Sequence, residues 1–136
     1  MTNNALELYD LAEQNDIIII NGKLNKAPAI SICDNGDCAI IIDDKQIESQ
    51  SDEVTKLAHE LGHCETGAFY DENTLETRSR CEYKADKWAI QKLMPKEEVQ
   101  KAFEQGYVEV WQLAEYFNVN EDLVRKAMWI YFDKVV

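Results

Sequence analysis

Ala58-His59-Glu60-Leu61-Gly62-His63-Cys64 is the stretch from which the rest of the chain can be read. His59 and His63 are the only histidines in the sequence. On a helix, positions i and i+4 project from the same face, so both imidazoles can reach one metal ion. Glu60 falls about 100° around the helix from His59. There it can take a proton from water at the metal and later deliver it to a leaving amine. Val54, Leu57, Leu61 and Cys64 make the reverse face, which suits burial. The spacing predicts an amphipathic helix over 52–65, with Ser51 and Asp52 as N-cap and acidic first turn.

Outward toward the C-terminus, a longer helix is predicted over 74–94, stopped by Pro95. Its inward stripe at helical spacing is Leu75, Arg78, Glu82, Ala85, Asp86, Ala89 and Leu93, while Arg80, Lys84, Lys87 and Gln91 lie opposite. A carboxylate placed in an apolar stripe must be paired or bound to metal, because burying it alone is very costly. Zinc held by His59, His63 and Glu82 would satisfy one and leave the fourth position open, as catalytic sites require. Asp86, one turn on, can then accept the free N–H of a ligand histidine and fix its tautomer. Two other arrangements stay open: Asp86 as the ligand, or both carboxylates paired with Arg78 or another base. Cys64 points away from His63 and reads as a small buried hydrophobe. Glu65, Asp71, Glu72 and Glu76 fall in the connection or on the wet face. Peptide hydrolysis also needs an oxyanion donor besides the metal, and Tyr70 and Tyr83 are candidates by proximity.

Upstream, residues 3–14 read as a helix with Leu6, Tyr9 and Leu11 inward, followed by β-rich runs at 17–20, 29–33 and 38–43. The last two flank Asn35-Gly36, a strong hairpin signal. Cys33 and Cys38 bracket that turn, so a cross-hairpin disulfide is one option, disfavoured in a chain whose core does not need it. If 38–43 is a sheet edge, it can pair with an extended substrate beside the active-site helix. Downstream, helices are predicted at 96–105, 108–117 and 121–134. The fold expected is α+β: mostly helical, with a small N-terminal three-stranded sheet packed on the His59–His63 helix and on a second, ligand-bearing helix. Residues 1–106 form the metal-binding domain in this reading, and 107–136 a C-terminal helical extension packed on it.

Composition narrows the function classes. The chain has 136 residues with 26 acidic and 14 basic side chains, a net charge of -12, which argues against nucleic acid as the main partner. With 46% hydrophobic residues, wholesale disorder is excluded. No apolar run approaches the roughly 18 residues of a membrane span. The start, Met1-Thr2-Asn3-Asn4, lacks the features of a secretory signal, so a cytoplasmic protein is expected. Residues 113–125 have the spacing of a helix-turn-helix, which makes a DNA-binding regulator acting through 113–130 a competing reading. Against it, across 107–136 Glu109, Glu115, Glu121, Asp122 and Asp133 outnumber Arg125, Lys126 and Lys134. The second helix would also begin with Glu121-Asp122 against phosphate.

His59-Glu60-Leu61-Gly62-His63, then Glu82 with Ala85-Asp86 and Ala89, then Leu93-Met94-Pro95, resembles the ImmA/IrrE family of zinc metallopeptidases. These are gluzincin-type proteins of phages, integrative elements and bacterial stress loci. The resemblance implies zinc bound by His59, His63 and Glu82, with Glu60 as the catalytic carboxylate. Many members carry a second Glu just before the Ala-Asp pair; Lys84 stands there in this chain. The activity implied is limited endoproteolysis of a partner, a helix-turn-helix repressor of a prophage or mobile element. The alternative is a non-cleaving, zinc-containing binding module of a phage or toxin–antitoxin-like locus.

Overall fold

Asn4 starts the first helix, its side-chain oxygen accepting the Glu7 amide at 2.9 Å. The computed structural model describes residues 2–70 and 75–134. Helix α1 (Ala5–Gln14) buries Leu8 and Ala12, whereas Leu6, expected inward, is exposed. The cause lies one residue before the cap. Asn3 is buried and donates to the carbonyls of Leu93 and Phe117, both at 2.8 Å, which sets how the helix is rotated against the core.

Three strands follow: β1 (Ile18–Asn21), β2 (Ala29–Asp34) and β3 (Asp37–Ile42). Asn35 and Gly36 join the last two with positive φ at both positions (52° and 85°), as a two-residue hairpin turn requires. The sheet order is β1-β3-β2, with β1 parallel to β3 and β2 antiparallel to it. The run that includes β3, read above as a possible edge, is therefore the centre of the sheet. Its alternate residues Ile40 and Ile42 are buried, and a strand with that much apolar surface is best paired on both sides. The edge nearest the His59–His63 helix is β2. Cys33 and Cys38 face each other in register across the hairpin as free thiols.

Helix α2 (Gln50–Thr66) runs beneath the sheet, capped by Ser49, whose side chain accepts the Asp52 amide at 3.0 Å. The cap expected at Ser51 is displaced because the Ser51 hydroxyl donates to Asn118 (2.7 Å) instead. Helix α3 (Leu75–Leu93) packs against α2, then α4 (Lys96–Glu104), α5 (Val110–Phe117) and α6 (Glu121–Phe132) complete the chain. The α2–α3 approach is close. A methyl group on Gly62 would lie 2.5 Å from the Ala85 carbonyl oxygen. Arg78, read into the inward stripe of α3, is exposed, and its guanidinium lies 5.5 Å from the Tyr70 ring centre. The buried stripe passes instead through Cys81, Ala85 and Ala89. Leu75, Asp71, Glu72, Thr74 and Glu76 fall where the structure does not describe the side chain.

One core cluster joins Leu8, Ile40, Leu57 and Leu61 to Ile90, Leu93, Phe117 and Val124, so α5 and α6 share the hydrophobic centre with the sheet and α2. The turn between α5 and α6 is occupied internally: Asn118 donates to the Asn3 carbonyl (2.9 Å), and the Asn120 amide donates to Thr55 (2.9 Å). No helix among the described residues is long and apolar enough to cross a membrane.

Candidate metal centre

The i, i+4 pair on α2 and one residue of α3 converge. Donor atoms of His59, His63 and Glu82 all lie within 4.8 Å of one another. His59 Nε2 is 2.8 Å from one Glu82 oxygen and His63 Nε2 is 3.4 Å from the other. The two rings stand edge to face with centres 4.9 Å apart.

The outer nitrogens decide which tautomer each ring holds. His63 Nδ1 is 2.6 Å from the Ala68 carbonyl, which can only accept, so Nδ1 carries the proton. Ala68 reaches that position because α2 ends at Gly67 and the chain turns back over its own last turn. His59 Nδ1 is 2.8 Å from Asp86, whose other oxygen accepts from Lys126 Nζ at 3.1 Å. Both rings therefore turn Nε2 toward the Glu82 carboxylate, where a neutral ring would present a lone pair. A proton on Nε2 or a metal ion can bridge such a pair of acceptors, and two rings turned to one carboxylate make a set that could hold a metal. The donor set, two imidazoles and one carboxylate, suits zinc and leaves a position for water or substrate.

The electrostatics fit a base next to this cluster. Burial pushes the Glu60 carboxyl above its ordinary pKa, opposed by the two histidines and by a hydrogen bond from Ser31 Oγ at 2.8 Å. Asp86 behaves oppositely: burial would raise it, but its bonds to His59 and Lys126 win and hold it low. Burial lowers the His59 imidazolium, yet the Asp86 bond and the surrounding carboxylates outweigh this and leave it raised. Tyr70 donates to Glu82 at 2.7 Å, and that bond is the main reason its phenol is held above the usual value.

The expected site residues His59, Glu60, His63, Glu82 and Asp86 are thus found together, and of the two tyrosines Tyr70 touches the centre. Tyr83 does not. It lies on the exposed side of α3 and lines a separate groove. Glu82 keeps about a third of its side chain exposed (36%), so it borders an open cleft of about 390 Å³ and is not sealed in the core. Ser31, the Ala68 carbonyl and Lys126 were not foreseen. Ser31 depends on strand register and Lys126 on how α6 docks, neither of which leaves a local sequence pattern. Cys64 is half-buried and its thiol is pushed up by burial, in keeping with a packing role.

With this geometry in hand, the comparisons with known proteins give one finding. The family model for the IrrE N-terminal-like domain, Peptidase M78, matches residues 40–128. Neither the curated proteins nor the solved structures gave a match.

Proposed function

Because the chain belongs to the IrrE N-terminal-like domain family of peptidases, we propose that it is a cytoplasmic, zinc-dependent endopeptidase making limited cuts in a partner protein. The observation that carries this reading is the pair of imidazole Nε2 atoms turned to one carboxylate, with a half-buried glutamate beside them. His59, His63 and Glu82 would hold the ion, and Asp86 would orient His59. When bound, zinc would polarise the scissile carbonyl and acidify the attacking water.

The chain's own groups account for the remaining work. Glu60 accepts the proton of the attacking water, a task suited to a carboxylate whose pKa burial has raised. The same oxygen then delivers that proton to the departing amine. Ser31 holds Glu60 by one oxygen and leaves the other available. Tyr70, released from Glu82, can donate to the developing oxyanion. Strand β2 is a sheet edge beside this cleft and can pair with an extended substrate backbone, the part assigned above to the following strand. Residues 107–136 serve as the extension that closes the peptidase unit of 1–106, contributing Lys126 behind Asp86. The substrate class favoured by the resemblance is a helix-turn-helix repressor.

The test is Glu60→Gln in the full chain. The variant should keep one zinc per protein and its fold but lose hydrolysis of the partner repressor by about 10²–10⁴-fold, because an amide cannot take the proton. Equal cleavage by variant and parent would show that Glu60 is not the base.

A further inference from the structure

Beyond Glu82, on the far side of α3, a groove of about 620 Å³ runs between α3 and α6. That is within the roughly 300–1,000 Å³ typical of ligand sites. Its apolar surface comes from Tyr83, Trp129 and Ile130. Tyr83 and Trp129 are 50% and 55% exposed, so two large rings are left uncovered by the described residues. Around them stand Arg78, Arg125, Lys126 and Lys134.

The carboxylates at the groove's inner wall are already occupied: Glu82 faces the histidines and Tyr70, and Asp86 faces His59 and Lys126. The Arg125 pairs with Glu121 (3.5 Å) and Asp122 (3.2 Å) are solvent-exposed, hence weak and readily exchanged. The groove is therefore locally cationic on a chain of net charge -12. An acidic peptide would be repelled over much of the surface and attracted here.

We propose that this groove is a substrate subsite of the metal centre, taking a segment with a bulky apolar side chain between Tyr83 and Trp129 and flanking carboxylates on Arg125 and Lys134. The assignment rests on the peptidase reading and adds a specificity to it. Glu82 lines both the groove and the cleft bounded by Ser31, Glu60 and Tyr70. A chain laid along β2 across the metal centre thus continues over α3 into the groove. Basic side chains beside exposed rings can also hold a single nucleic acid strand. The groove shares its Glu82 wall with the peptidase cleft, so the peptide is favoured.

Binding to the zinc-loaded Glu60→Gln protein tests this without requiring cleavage. The probes are a short fluorescein-labelled peptide alternating Glu with Phe or Leu, its Lys-for-Glu counterpart, and a thymidine oligonucleotide. The acidic peptide should bind best and change the tryptophan emission, and Trp129→Ala should abolish that change. Arg125→Glu combined with Lys134→Glu should weaken binding about tenfold, and Arg125→Ala should weaken it less. Equal binding of the two peptides, unchanged affinity in the double variant, or preference for the oligonucleotide would each overturn the subsite. In the cleavage-competent parent, the double variant should raise KM for the acidic peptide and leave kcat unchanged. A parent that cleaves equally well with and without those substitutions refutes the groove and spares the peptidase. Acidic-peptide binding that needs Trp129, in a parent that cleaves nothing, refutes the peptidase and spares the groove.

Discussion

Asp52 and Glu60 are carboxylates of the same helix, both withdrawn from water, and their surroundings treat them in opposite ways. Asp52 lies in the first turn of α2, 4% exposed, receiving hydrogen bonds from Lys56, from the Glu48 amide (3.0 Å) and from Asn120 (2.9 Å). Burial alone would raise its pKa, but these donors prevail and hold it below the ordinary carboxylate value. Glu60, two turns on, has one hydroxyl from Ser31, and burial prevails. A carboxylate with its lone pairs filled is a structural anchor. One that burial has disturbed and left short of donors is ready to accept a proton. What separates the anchor from the proposed base is the number of donors that the neighbouring elements bring to it.

The strongest way to break this comparison is to empty the functional end of α2. In the proposed site Glu82→Ala removes a ligand, so zinc affinity should fall by more than the roughly 100-fold that loss of an outer partner costs. Purified protein should go from one zinc per chain to almost none, and chelator should no longer lower its melting temperature. Wild-type occupancy in that variant would leave Glu82 as a mere ion-pair partner.

Next in size is the anchor. Asp52→Asn should cost about 2 kcal/mol in urea unfolding, with zinc content unchanged. Because the folded pKa of Asp52 is depressed, its stabilisation is fully present above the ordinary carboxylate range and is lost as pH falls through the folded value. The parent should therefore lose stability on acidification below about pH 4 more steeply than the variant does. Parallel stability curves for the two proteins over that window would contradict the assignment.

The smallest effect sharpens the contrast. Ser31→Ala removes the donor that restrains Glu60, so the Glu60 pKa should rise further. Since the base must be ionised, the acid limb of the kcat/KM profile should move about half a pH unit to higher pH, with less than tenfold loss at the optimum. A shift toward acid would mean that Ser31 does not act through Glu60.

What could be read from the sequence followed from helical periodicity. The spacing of His59 and His63, and the small residues around Glu82 and Asp86, are local facts, and the helices of the described chain begin and end within a few residues of their predicted bounds. What escaped depended on distant partners. The rotation of α1 that exposes Leu6 is set by Asn3 meeting the ends of α3 and α5. The central place of β3 follows from β1 pairing with it in parallel across an intervening strand. Lys126 enters the site from the helix pair whose spacing resembled a DNA reader, and that pair's turn is bonded to α1 and α2.

Gly62 has a consequence of a different kind. It has no side chain to offer the site, yet the clearance it leaves for the Ala85 carbonyl sets how near α3 can come, and Glu82 rides on α3. A chain with any larger residue there would still spell histidine, glutamate, two arbitrary letters and histidine. The helix that carries its proposed third ligand would nevertheless have to shift. The signature by which such enzymes are recognised can thus outlive the activity it advertises, and one of its unspecified letters tells a working copy from a relic.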